Sequence, residues 1–189
     1  IMKIIEIGIN PPSEIYFHTA SSLASEFYYY PLVAGHYFCD ENYYVERENY
    51  DSLLLLFVEK GTIVLEQDGT HTANEGELLI INGYKKHLYY CPHNAITYWV
   101  HIFGSNSKEI MNKVLSLHGH KIKIPNIEDE IKKIISSLIN KDTEEKLAQE
   151  TYSLLLKLLN LNYNDRQATN EYVVKAELFM DENYGKPLT

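Results

Sequence analysis

The chain has 189 residues, 45% apolar and 23% charged, enough to bury a core for one domain with a helical appendage. Seventeen Lys and Arg against twenty-six Asp and Glu leave a formal charge of -9, which repels a phosphate backbone and argues against DNA binding by these residues alone. No apolar run approaches the ~20 residues of a membrane span, and the N-terminus lacks a secretory pattern, so the expected compartment is the cytoplasm. Cys39 and Cys91 fit neither a disulfide framework nor a metal spacing. They read as reduced fillers, with their pairing left open by the sequence.

Up to about residue 105 the chain is rich in tyrosines, β-branched residues and turn signals. Residues 31–38 and 43–47 read as short strands. Residues 53–58, Leu-Leu-Leu-Leu-Phe-Val, form an apolar run that suits a strand buried on both faces and is expected to end at Lys60-Gly61. Residues 62–67 then alternate, with Ile63 and Leu65 on one side. Asp68-Gly69 is a two-residue hairpin signal, because both positions of a type I′ turn need positive φ. Further strands are expected at 71–73, 78–81 and 87–90, followed by a long one at 95–103 closed by Gly104. Many short strands at near-regular spacing predict a sandwich or barrel.

Beyond residue 105 the apolar period becomes helical. Asn126 is the expected cap of a helix with Ile127, Ile131, Ile134 and Leu138 on one face. Asp142 and Glu145 form a capping-box-like pair for a second helix running to about Leu161. Its stripe, widened by Leu147, Leu154 and Leu158 beside Leu155, is broader than packing on one sheet requires, which predicts a partner helix from a second subunit. A polar stretch follows. Tyr172, Val173, Ala176, Phe179 and Met180 then give one more amphipathic helix, stopped by Gly185 and Pro187. Such a helix has nothing of its own to pack on, so it reads as the start of a further domain cut away at Thr189.

Several residues carry a family likeness: Leu32-Val-Ala-Gly35, Arg47, Gly61, Gly76-Glu-Leu-Leu-Ile-Ile81, His87-Leu-Tyr89 and Trp99-Val-His-Ile-Phe-Gly104, with Ala176 to Thr189 at the far end. In this order they resemble the AraC/XylS family of transcription regulators, covering most of the chain. The resemblance implies a mainly β fold with C-terminal helices: a cupin-like antiparallel β-barrel (double-stranded β-helix, or jelly roll) followed by a two-helix dimerisation segment. It implies an N-terminal arm at 1–20, a sensor barrel at 21–120, helices at 121–162, a linker at 163–170 and the opening helix of a DNA-binding domain at 171–189. A small effector, expected to be a sugar, would bind in the barrel. The partners implied are that effector, a second copy of the chain, and DNA through an absent helix-turn-helix domain.

Carried over position by position, the likeness puts Arg47, Tyr89, Thr97, Trp99 and Tyr37 at ligand-binding positions. The residues matching Thr97 and Tyr37 differ in the arabinose-responsive member, so the ligand there and here need not agree. On the residues alone, Thr97, Trp99 and His101 share one strand face and would line a cavity together if that face points inward. Read singly, Trp99 is a core residue and Arg47 a surface arginine paired with Glu46 or Asp51. The resemblance favours the pocket reading of both. His36, His87 and His101 read singly as hydrogen-bonded structural histidines. Leu147, Leu154, Leu155 and Leu158 are the candidate dimer contacts.

No metal and no cofactor are expected, because only His87 matches the ligand pattern of metal-holding cupins and one imidazole does not hold a catalytic metal. The rival expectation is a metal-independent sugar isomerase or epimerase with His87 or His101 as base and Tyr89 as acid. A histidine–carboxylate pair in the barrel would favour it.

Overall fold

The computed structural model describes residues 7–104, 106–160, 175, 178–180 and 183. In chain order the elements are β1 (Ile9–Phe17), α1 (Ser22–Phe27), β2 (Tyr30–Asp40), β3 (Tyr44–Arg47), β4 (Leu53–Glu66), β5 (Thr70–Asn74) and β6 (Leu78–Asn82). They continue with β7 (His87–Tyr90), β8 (Asn94–Phe103), α2 (Ser107–His118), β9 (Lys121–Ile122), α3 (Ile127–Asn140) and α4 (Glu144–Leu159). The linker expected at 163–170, and most of the helix expected at 171–189, lie outside the described residues; 175, 178–180 and 183 are helical.

Every described strand pairing is antiparallel. One sheet runs β1-β2-β8-β4-β6-β9, and a second runs β3-β7-β4-β5. The sheets share β4, whose first half pairs with β8 and β6 and whose second half pairs with β5 and β7. They stay open at their edges, an unclosed jelly-roll arrangement of the cupin-like class expected.

The strand expected to stop at Gly61 instead passes through it. Gly61 has φ +79°, and a Cβ there would sit 2.0 Å from the Asn94 carbonyl oxygen. A residue without a side chain thus lets β4 turn a corner against β8, where their register shifts between Val58 and Lys60.

Alternation along the central strands sorts two cores. Leu53, Leu55, Phe57, Leu78, Ile80, Val100 and Ile102 face the helices. Leu54, Leu56, Val58, Leu79, Ile81 and Trp99 face the space between the sheets. This is why the run at 53–58 carries no alternation: both of its faces are buried.

α3 and α4 pack on the outer face of the first sheet. Their caps differ from expectation. Thr143, not Asp142, caps α4 through its side chain, while Asp142 pairs with Lys146 at 2.6 Å. Asn126 stands at the N-cap of α3 in the left-handed region and makes no side-chain cap bond.

The leucines expected at a dimer contact are enclosed within this protomer. Leu154, Leu155 and Leu158 are fully buried in the core beneath the sheet, and Leu147 is 2% exposed. A side chain enclosed by its own protomer offers a partner nothing. The broad stripe is wide because it covers the sheet and α3 together; the large apolar side chains α4 exposes are Tyr152 and Leu156.

Candidate functional site

Between the two sheets lies a cavity of about 130 Å³. Val33 and Tyr37 on β2, Val45 and Arg47 on β3, Tyr89 on β7, and Trp99 and His101 on β8 form its walls, with Ile15 and Phe17 of β1 and the loop residues Tyr43 and Tyr50. Five of the six candidate ligand residues therefore meet in one space: Arg47, Trp99, Tyr89, Tyr37 and His101. Thr97 does not line it. That residue shares their face of β8 but lies one step along, opposite Tyr37 and Val58, fully buried.

Trp99 owes its place to Gly35, its partner on β2. A Cβ on Gly35 would come within 2.6 Å of the indole Cζ2, so the ring lies directly against that strand. Tyr37 meets the indole edge-on at 4.9 Å and His101 does so at 5.7 Å. The Trp99 Nε1–H is buried with no protein acceptor among the described residues, as are the Thr97 hydroxyl and His87 Nε2.

Arg47 is half-buried, its guanidinium 4.3 Å from the Tyr50 ring centroid. The pairing expected for a surface arginine is absent. Glu46 and Glu48 are engaged by Lys86, at 3.1 Å and 2.9 Å. Among the described residues no carboxylate lies within ion-pair distance of Arg47. Its cation instead raises the potential around two buried imidazoles.

His101 Nδ1 is 2.8 Å from Ser52 Oγ, and Tyr50 meets its ring edge-on at 4.6 Å. Burial first, then the charge of Arg47 and the neighbouring His87, holds His101 down at about 3, so it is neutral at ordinary pH. His87 is also lowered, chiefly by burial. Its Nδ1–H donates to the Lys85 carbonyl at 2.8 Å, which raises it, and Arg47 lowers it further.

This donor set does not fit a metal. Among the described residues no group of three His, Cys, Asp or Glu side chains converges. Acid–base catalysis finds little either. An imidazole held near 3 is a weak base at neutral pH, and His87 is not part of the cavity lining. The described histidine–carboxylate pairs, His18–Glu144, His36–Glu59 and His120–Asp68, involve none of the lining residues.

Tyr43 and Val45 share strand parity with Arg47, so alternation along 43–47 puts them on its face. Tyr50 and Ser52 sit in a connection without periodicity. Ile15 and Phe17 belong to the arm, whose strand pairing carries no clear sequence signal.

A family model described as the AraC-like ligand binding domain matches residues 30–159. No sequence among curated proteins matches the chain. Among solved structures, a putative ethanolamine utilization protein Q from Salmonella typhimurium is 17% identical, with a TM-score of 0.33 over 36% of this chain and 55% of that one. An HTH_3 family transcriptional regulator from Vibrio cholerae is 10% identical, with a TM-score of 0.38 over 48% of this chain and 51% of that one. A cupin superfamily protein from Desulfitobacterium hafniense is 12% identical, with a TM-score of 0.38 over 54% and 84%. The chain thus spans little more than half the length of the first two.

Proposed function

Because the chain belongs to the AraC-like ligand binding domain family, we propose that it senses a small-molecule effector in the cavity between its sheets. In this reading it reports occupancy to a helix-turn-helix DNA-binding domain of the same regulator, and it is a sensor rather than an enzyme. The observation that carries the reading is Arg47, a cation without a carboxylate partner among the described residues, bordering a space walled by aromatic side chains. That role belongs in the cytoplasm; no described helix is long and apolar enough to cross a membrane.

In this reading the report travels through contacts of β1 and α4. β1 supplies Ile15 and Phe17 to the cavity wall and pairs with β2. The segment after it is tied to the start of α4: Ser21 donates from its N–H and Oγ to the Glu144 carboxylate at 2.7 and 2.5 Å, and His18 lies 3.5 Å from the same group. An effector that binds one placement of β1 better than another would bias α4 by that difference in affinity and no more.

A sugar is the effector class the resemblance carries. The Trp99 face could stack on its C–H groups while Arg47 and the tyrosine hydroxyls take its hydroxyls. Dimerisation belongs to the same proposal, through the exposed Tyr152 and Leu156 of α4 with Leu23 and Phe27 of α1. Phe27 and Tyr152 border one apolar cleft. A thermal-shift panel of sugars, sugar phosphates and small carboxylates tests the sensing role. An effector at about 100 times its Kd stabilises the folded state by about 2.7 kcal/mol. A panel with no stabilising compound would count against it.

A further inference from the structure

Resting on the reading of this cavity as the effector site, we infer that the effector is a small monocarboxylate with an apolar body, its carboxylate gripped by Arg47. The charge balance points there first. Among the described residues Arg47 is the cation of the lining and no Asp or Glu lines the cavity, and the nearest acids in sequence, Glu46 and Glu48, are held by Lys86. A half-buried guanidinium facing neutral walls has lost part of its hydration without gaining a counter-ion from the described residues. A bidentate carboxylate supplies one, in the geometry the planar fork of donors matches.

The remaining walls select the rest of the molecule. Ile15, Phe17, Val33, Val45 and Trp99 present carbon surface, which suits an alkyl or ring body, beside the rings of four tyrosines and His101. A neutral polyol would find tyrosine hydroxyls and the His101 imidazole as acceptors but would leave the Arg47 charge without a counter-ion. A phosphate would bring about two negative charges to one cation. A dicarboxylate would bring a second anion for which the described lining holds no second cation.

Size sets the limit. The cavity of about 130 Å³ is below the range of about 300–1,000 Å³ typical of drug-sized ligands, and close to the roughly 150 Å³ cavity that takes benzene. The body therefore has about four to six carbons.

Titration of the 189-residue chain decides the matter. Trp99 is its sole tryptophan and stands in the wall, so its fluorescence reports on the cavity, with thermal shift as a second readout. The probes are isovalerate and cyclopentanecarboxylate, with isovaleramide as neutral isostere and arabinose and ribose as neutral sugars. Both acids are expected to bind, and the amide at least tenfold more weakly. Arg47→Gln, with unchanged circular dichroism, is expected to weaken the acids at least tenfold, and Arg47→Lys to restore part of the loss. Acids that fail to bind, an amide that binds as tightly as its acid, or full acid affinity in Arg47→Gln would each overturn the inference. If arabinose or ribose binds where the acids do not, the carboxylate is wrong and the sensing role stands. If neither these probes nor the wider panel binds, both fall.

Discussion

Gly61 shows how much can rest on one missing side chain. Its positive φ and the 2.0 Å approach to the Asn94 carbonyl leave no place for a Cβ, and the corner of β4 joins the two sheets. Gly61→Ala is expected to cost about 2–3 kcal/mol in urea denaturation, combining backbone strain and overpacking; a loss below about 0.5 kcal/mol would mean the corner bends freely. His101 links a residue to a pH window. Its folded value of about 3 lies below the usual 6.5, so the unfolded chain binds the extra proton first. Stability from this group is full above about pH 6.5 and falls as pH drops toward 3. Thermal melts from pH 7 to 4 are expected to show a shallower decline for His101→Gln than for the parent. The slope should not vanish, because His87 is lowered too. Equal slopes would show that His101 is not held neutral by the fold.

Among the elements, those with a two-residue or 3.6-residue period were legible, and those that borrow their burial from elsewhere were not. β8 is legible nearly to its ends because Thr97, Trp99 and His101 alternate with Tyr98, Val100 and Ile102. α3 was found through its isoleucines. β1 and α1 carry no such period: the strand presents an exposed Asn-Pro-Pro stretch, and α1 buries only Ala24. α2 buries a narrow line of Ser107, Met111 and Val114, and no side chain caps its start. The candidate site was half legible for a related reason. Alternation shows which residues share a face, but the loop that brings Tyr50 beside Arg47 and His101 has no period to read. α4 gave the opposite error, since stripe width alone does not say whether the cover is a sheet or a partner. The burial predicts two different costs. Leu155→Ala should destabilise the protomer by about 2–5 kcal/mol, while Tyr152→Ala should stay within about 1 kcal/mol. Equal costs in chemical denaturation would undo the assignment of inner and outer faces.

At the scale of the whole molecule, the outer face of α4 and the cavity form one argument. Most apolar surface of the sheet and helices is spent internally, and Tyr152 and Leu156 of α4 and Leu23 and Phe27 of α1 are among the large apolar side chains that stay exposed. If these side chains meet in a dimer, Leu156→Glu should turn a dimer into a monomer by light scattering without lowering the melting temperature of the protomer. A parent chain already monomeric at high micromolar concentration would remove that interface. The cavity carries the more central claim, and the lone indole allows it to be tested in place. In a ¹H–¹⁵N spectrum of the labelled chain, the side-chain N–H signal of Trp99 is identified by its absence in Trp99→Phe. Adding an effector that stabilises the protein is expected to move that signal in step with saturation in the parent, and at least tenfold higher concentration should be needed in Arg47→Gln. A stabilising compound that saturates the protein while the indole signal stays still would put the binding site somewhere else.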